Sequence, residues 1–155
     1  MPIEKAYQTV SGDWMPYEGS LRDVRIPDGA RVVGGETENT FTSDEVRTVW
    51  MPDSVEVVEA KAFEHCTKLE SVRFSNNRKA IRGAAFMGCS NLRSVSLPKS
   101  LERMGNFAFS DTAVNEIFFA GTMAEFRRIE KAEGEQAWIN RTPVVRCTDG
   151  DMRTP

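Results

Sequence analysis

The chain repeats itself every 23 residues, and that period restricts it to one kind of architecture. Val46, Leu69 and Leu92 stand 23 apart, as do the pairs Ala62-Phe63, Ala85-Phe86 and Ala108-Phe109. The same interval relates Val49, Val72 and Val95, then Met51, Phe74 and Leu97, then Val58, Ile81 and Met104. Cys66 recurs as Cys89, with Thr112 in the third place. A unit this small cannot bury its own apolar face, so its neighbours must stack on it as a solenoid. A further unit continues with Val114, Ile117 and Phe119, one residue early. An imperfect one precedes them with Leu21, Val24, Ile26, Pro27, Val33 and Phe41. It lies 25 residues upstream at its strand and 22 at its Phe, which implies a deletion about Thr42 to Glu45 and extra residues after Gly34-Gly35.

Each unit has a physical reading. Leu-x-x-Val-x-Leu sets two apolar residues at a spacing of two, the spacing of a strand with one buried face. Pro52 and Pro98 follow it and end the ladder, because proline has no N–H to donate. Ala-Phe-x-x-Cys is too short for an ordinary helix and suits one helical or 3₁₀ turn. The expected fold is therefore an α/β repeat solenoid, a right-handed coil. Strands near 21–26, 46–51, 69–74, 92–97 and 114–119 lie parallel in one sheet, with short turns on the other side. Phe41, Phe63, Phe86 and Phe109 stack inside it.

The units from Leu69-Glu70-Ser71-Val72 to Cys89, and from Leu92-Arg93-Ser94-Val95 to Ala108-Phe109, resemble the bacterial BspA-like (Treponema-type) leucine-rich repeat. The resemblance covers about residues 21–120. The tail, with Ile117-Phe118-Phe119-Ala120-Gly121-Thr122, Glu125-Phe126 and Cys147-Thr148-Asp149-Gly150, is similar to that family's C-terminal ending. The resemblance implies a non-catalytic binding or surface adhesion protein, and it brings no catalytic residues. Two positions depart from the pattern: Arg78, where Val55 and Leu101 point to an apolar residue, and Thr112 in place of Cys.

A solenoid needs atypical ends to close its apolar core. Thr122-Met123-Ala124-Glu125 has the form of a capping box, and Met123, Phe126 and Ile129 make one apolar stripe of a helix that Gly134 stops. Pro143 to Cys147 reads as a last strand. The division is then an N-terminal cap over 1–20, with Trp14 and Tyr17 around Pro16, repeats over 21–120, and a C-terminal cap over 121–155.

Little in the sequence suggests chemistry. Its one histidine, His65, adjoins Cys66, a couple that a thiol enzyme would use, yet Cys66 falls in a core column and His65 in that of Gly88 and Asp111. Cys66, Cys89 and His65 are too few for a structural zinc site. Cys66 and Cys89 lie one rung apart, either as a disulfide or as buried free thiols, and three cysteines in all suit a reducing compartment. No cofactor is implied. The N-terminus as given lacks an export signal, which points to the cytoplasm, with the cell surface or secretion as the alternative should that end be trimmed.

Charge is uneven along the chain. The net charge is −3 overall, but residues 67–103 hold eight basic and two acidic side chains, against six and thirteen over residues 1–66. The basic segment, with Lys68, Arg73, Arg78, Lys79, Arg82, Arg93, Lys99 and Arg103, is read either as solvated loops or as a belt attracting an acidic partner. Nucleic acid is disfavoured, because acidic segments flank the belt. The strand residues between the buried ones must face outward: Arg25, Trp50, Arg73, Ser96 and Phe118 in one column, with Asp23, Thr48, Ser71, Ser94 and Glu116 beside it. Trp and Arg are the residues that dominate binding hot spots. The expectation is a monomer that binds a macromolecule, a protein in class, through Trp50, Arg25, Arg73, Thr48, Ser71, Ser96 and Phe118. The competing readings are a self-associating block and, behind it, a thiol enzyme.

Overall fold

The computed structural model describes residues 2–35, 39–74 and 76–154. The extra residues expected after Gly34-Gly35 fall at 36–38, outside the described residues, as do Met1 and Pro155 of the two expected caps. In chain order the strands are β1 (Ile3–Thr9), β2 (Trp14–Tyr17), β3 (Asp23–Arg25), β4 (Ala30–Val33), β5 (Thr48–Trp50), β6 (Val57–Val58) and β7 (Ser71–Arg73). They continue with β8 (Ala80–Ile81), β9 (Ser94–Leu97), β10 (Arg103–Met104) and β11 (Glu116–Phe119). Helix α1 (Met123–Arg128), β12 (Glu130–Lys131), a 3₁₀ turn (Gly134–Gln136), β13 (Val144–Cys147) and β14 (Gly150–Arg153) complete the chain.

The front sheet has the order β14-β13-β11-β9-β7-β5-β3, and the five repeat strands run parallel in it as the columns require. Val24, Val49, Val72, Val95 and Ile117 point inward and are buried. β13 adds a further parallel strand on β11, and β14 folds back antiparallel. Where the repeat pointed to a single sheet, the chain builds two. The back sheet, β12-β10-β8-β6-β4-β1-β2, comes from the Val58, Ile81 and Met104 columns, whose two-residue strands pair in parallel from rung to rung. Two residues are too few to show a strand period in the sequence. At its N-terminal edge the β1–β2 hairpin pairs antiparallel with β4 and covers that edge.

The Ala-Phe turns join the sheets through an alternating hydrogen-bond pattern. In one turn the N–H groups of Ala62, Glu64 and Cys66 bond back within the turn, to the carbonyls of Glu59, Lys61 and Phe63. Those of Lys61, Phe63 and His65 bond forward, to Gly83, Ala85 and Met87 of the next rung. The backward bonds span three residues, as in a 3₁₀ turn, while the forward ones make a ladder. Left-handed backbone at Lys61, Ala84 and Phe107 (φ +58°, +56° and +59°), and again at His65, Gly88 and Asp111, recurs with the period and produces the alternation. In the last turn the forward donors meet the closing segment instead: Phe107 and Phe109 N–H reach the carbonyls of Ala137 and Trp138, and Asp111 N–H reaches Asn140 Oδ1.

Inside, Phe41, Phe63, Phe86 and Phe109 stack with centroids 5.0, 5.3 and 5.4 Å apart and planes within 11° of parallel. Tyr17 meets Phe41 edge-on at 5.5 Å, and Trp138 meets Phe109 edge-on at 6.3 Å. Offset stacks and edge-to-face ends are the arrangements that the ring quadrupole favours. Around the column, Cys66 and Cys89 are fully buried free thiols whose Sγ–H groups donate to the carbonyls of Phe41 and Phe63 at 3.3 and 3.2 Å.

The capping box forms as read: Thr122 Oγ1 accepts from Glu125 N–H at 3.1 Å, and Glu125 Oε1 accepts from Thr122 N–H at 3.0 Å. The helix ends earlier than Gly134, however. Ile129 is already extended (ψ 127°), because Glu130 and Lys131 pair with β10, and sheet pairing prevails over the remaining helical pattern. Lys131 Nζ then caps the helix end on the carbonyls of Phe126 and Ile129, at 2.9 and 2.8 Å. Gly134, at φ +72°, opens the 3₁₀ turn instead.

If the phenylalanine stack holds the rungs together, Phe86→Ala should cost about 3–5 kcal/mol of unfolding free energy in a urea titration. Phe86 touches rings on both sides and Phe74 edge-on at 5.5 Å. A cost below about 1 kcal/mol would remove the stack from that role.

Candidate binding face

The outward residues of the front sheet lie in strict register. Arg25 pairs with Trp50, Trp50 with Arg73, Arg73 with Ser96 and Ser96 with Phe118, so the five form one row along the solenoid axis. Asp23, Thr48 and Ser71 align beside it, and Ser94 aligns with Glu116. All seven residues marked in the sequence as partner-binding therefore stand on one face. Arg25, Arg73, Ser71, Ser96 and Phe118 are exposed, and Trp50 and Thr48 are half-buried. Phe118 leaves 45% of its surface to solvent and adds an apolar end to the row.

Trp50 is not a bare aromatic surface. The Arg25 and Arg73 guanidinium carbons lie 4.8 and 5.6 Å from its ring centroid, and the register brings them from opposite rungs. Thr48 Oγ1 donates to Asp23 Oδ1 at 2.8 Å and orders the neighbouring column. The row also runs further than the repeat shows. β13 sets Arg146 in register with Phe118, and Arg146 is held by Glu116 and by Asp151, the latter at 2.8 Å. The strand at Pro143 to Cys147 is readable in the sequence, but its register falls outside the 23-residue period, so Arg146 carries no column signal.

The basic segment does not make one belt. Lys79, Arg82 and Arg103 lie on the back sheet and close onto acids of adjacent rungs: Lys79 on Glu56 at 3.3 Å, Arg82 on Glu59 at 3.3 Å and Arg103 on Glu130 at 3.1 Å. Arg73 belongs to the front face. Arg78 is not on the surface at all. It occupies the core column of Val55 and Leu101 with no exposed area, its guanidinium 4.6 Å from the Phe74 ring. Its Nε and Nη1 groups have no hydrogen-bond partner. Burial holds this guanidinium down at about 9, against its usual 12.5.

The Cys66–His65 couple does not assemble. Cys66 is enclosed and bonded to Phe41, while His65 is turned outward, with Nε2 3.6 Å from Glu64 Oε1. Hydrogen bonding to Cys66, together with burial, pushes the Cys89 thiol far up, so it stays protonated. Among the described residues, no group of three or more His, Cys, Asp or Glu is placed to hold a metal ion, and no helix is long and apolar enough to cross a membrane. A cleft of about 780 Å³ opens near the C-terminus between α1, the 3₁₀ turn and β14. The lysine in its wall, Lys131, is the one that caps α1.

The description "BspA type leucine rich repeat region" matches residues 15–129 in six copies. Among solved structures, a leucine-rich repeat protein from Bacteroides ovatus ATCC 8483 is similar at 27% identity and TM-score 0.55, over 70% of this chain and 32% of that one. The T. pallidum leucine-rich repeat protein is similar at 26% identity and TM-score 0.59, over 70% of this chain and 55% of that one. A leucine rich cell surface protein from Faecalibacterium prausnitzii A2-165 shares the fold at 24% identity and TM-score 0.50, over 82% of this chain and 40% of that one. The chain thus spans from about a third to just over half the length of these structures. No curated protein is significantly similar to it.

Two outcomes follow from the buried groups. Arg78→Leu should stabilise the fold by about 1–4 kcal/mol at neutral pH, as removal of costly buried charge does elsewhere. The folded guanidinium titrates below the unfolded one, so the cost is complete below about pH 9 and is relieved as the pH rises above it. The advantage of the variant should shrink accordingly in alkaline unfolding titrations, and a destabilised variant at pH 7 would overturn the account. In native thiol labelling, Cys147, which is only partly buried, should react well before Cys66 and Cys89.

Proposed function

The chain belongs to the BspA-type leucine-rich repeat family, and from that membership we propose that it is a binding module whose partner, a protein, docks on the outer face of the front sheet. Leucine-rich repeat folds generally serve protein–protein interaction, which sets the class. The observation that carries the choice of face is the row Arg25–Trp50–Arg73–Ser96–Phe118. It sets two aromatic and two guanidinium side chains on rigid, register-locked strands, with no strand or helix of the described residues packed over them. Preorganised aromatic and arginine side chains give up little conformational entropy on binding and supply most of the energy of interfaces. Thr48 and Ser71 flank the row and contribute hydroxyl donors and acceptors. The back sheet is the poorer candidate, because the cross-rung ion pairs described above already engage its charges. In this reading the protein works as a monomer without a cofactor, and its thiols are structural.

The test uses binders selected from a display library against the full chain. Trp50→Ala should weaken them by about 2 kcal/mol or more and leave thermal stability within about 1 kcal/mol, since Trp50 lies outside the core cluster. Arg82→Gln on the back sheet should leave binding unchanged. Binders indifferent to Trp50→Ala and Phe118→Ser but sensitive to the back sheet would move the site off this face.

A further inference from the structure

The back sheet pairs its charges, as the front sheet does at Arg146, but two front-sheet arginines are left without an acid. On the back sheet, rung neighbours neutralise one another: Arg31 and Lys79 both reach Glu56, at 2.7 and 3.3 Å, Arg82 reaches Glu59, and Arg103 reaches Glu130. On the front sheet, among the described residues, the side chains of Arg25 and Arg73 have no carboxylate and no hydrogen-bond acceptor, and both are exposed. Their one structural engagement is with the indole between them. A guanidinium held over a ring keeps its in-plane N–H donors free, and five donors on each arginine then point at nothing.

The same arrangement restricts what can bind. Arginines approach the Trp50 ring from both neighbouring rungs, so an incoming aromatic group finds its faces already occupied. What the row offers is two preoriented forks for carboxylates, roughly 10 Å apart at two rung spacings of about 4.8 Å. Another two rungs along, past the Ser96 hydroxyl, stands the exposed Phe118 ring. A polyproline II segment advances about 3.1 Å per residue with about three residues per turn, so every third side chain returns to the same face after roughly 9 Å, close to two rungs.

We propose that the front sheet takes an acidic segment of another protein in the extended polyproline II conformation, lying along the solenoid axis. Two carboxylates three residues apart sit on Arg25 and Arg73, and an apolar residue three further on rests against Phe118. This rests on the strand-face reading and adds the chemistry of the partner. Discrete acids fit better than a continuous polyphosphate, because Asp23 stands beside Arg25 on the same face and repels an unbroken line of negative charge.

Random twelve-residue peptides displayed against the full chain at low salt provide the test. The expected binders are enriched in Asp and Glu at a spacing of three, followed three residues later by an apolar residue. Their affinity should fall at least tenfold in the Arg25→Gln/Arg73→Gln variant, and as much when their acids are changed to Asn. It should weaken severalfold from 50 to 500 mM salt, and stay unchanged in Lys79→Gln/Arg82→Gln. Both arginines of the double variant are exposed, so thermal unfolding should match the parent and exclude misfolding as the cause. Binders that need Trp50 and Phe118 but carry no excess of acid would overturn this proposal while leaving the strand-face reading intact. Binders unaffected by every front-sheet substitution would overturn both. A duplex oligonucleotide that binds the front sheet more tightly than the acidic peptides at 150 mM salt would replace the protein partner with nucleic acid.

Discussion

The structure depends on a column of benzene rings repeating at about 5 Å. Four phenylalanines, one per turn, lie with their planes nearly parallel, and their spacing is close to that of hydrogen-bonded strands. Ring contact and backbone ladder can therefore be satisfied by the same translation. A residue of different thickness would force the turns apart or leave a void, and a close-packed interior tolerates neither well. The column has to stop somewhere, and it does so by rotation: Tyr17 and Trp138 present edges to the terminal rings. An edge-on ring leaves no parallel face to extend the stack, so the column is closed at both ends by the same type of side chain that builds it.

The backbone obeys a second constraint at the turns. A parallel solenoid has to bond each rung to the next even where the chain reverses direction, and an ordinary helical turn aims its N–H groups along its own axis instead. The recurring left-handed residues resolve this by aiming every second N–H at the neighbouring rung. Residues such as Lys61 and Phe107 adopt this backbone at a cost of order 1 kcal/mol each, which the surrounding ladder offsets. The closing segment at residues 137–140 accepts the final set of donors, so the last turn is finished by backbone bonding as well as by ring contact.

How much of this was legible follows from where the information resides. The front strands, the phenylalanine column and the row of outward residues all rest on single-residue columns with a constant period, and the sequence displays these directly. The back sheet was invisible as a sheet, because β6, β8 and β10 span only two residues each and alternation needs more, while the longer β4 lies in the imperfect unit. Gly134 misled for a related reason. Helix and sheet patterns overlap at Ile129–Lys131, and only the three-dimensional adjacency of β10 decides between them. Arg78 looked like one charge among several in a basic run, although its column predicted an interior position, and there the column was the better guide. The row of candidate contacts was legible, but its electrostatic state was not. Which arginines are matched by acids depends on cross-rung neighbours about 25 residues apart in sequence, as with Arg31 and Glu56.

The register of the front face has a consequence for how such a surface changes over time. Each turn contributes one outward residue to the central row, while its inward residues are tied to the ring column and the sheet ladders. Substitution at the outward position rewrites one letter of a linear surface text without disturbing the interior, and duplication of a whole 23-residue unit inserts one letter while preserving the order of the rest. A gain or loss of a single residue within a strand would instead exchange inside and outside along it. The architecture thus separates what must be kept from what is free to vary. A lineage built on it can lengthen or re-spell its recognition surface by steps that never pass through an unfolded ancestor.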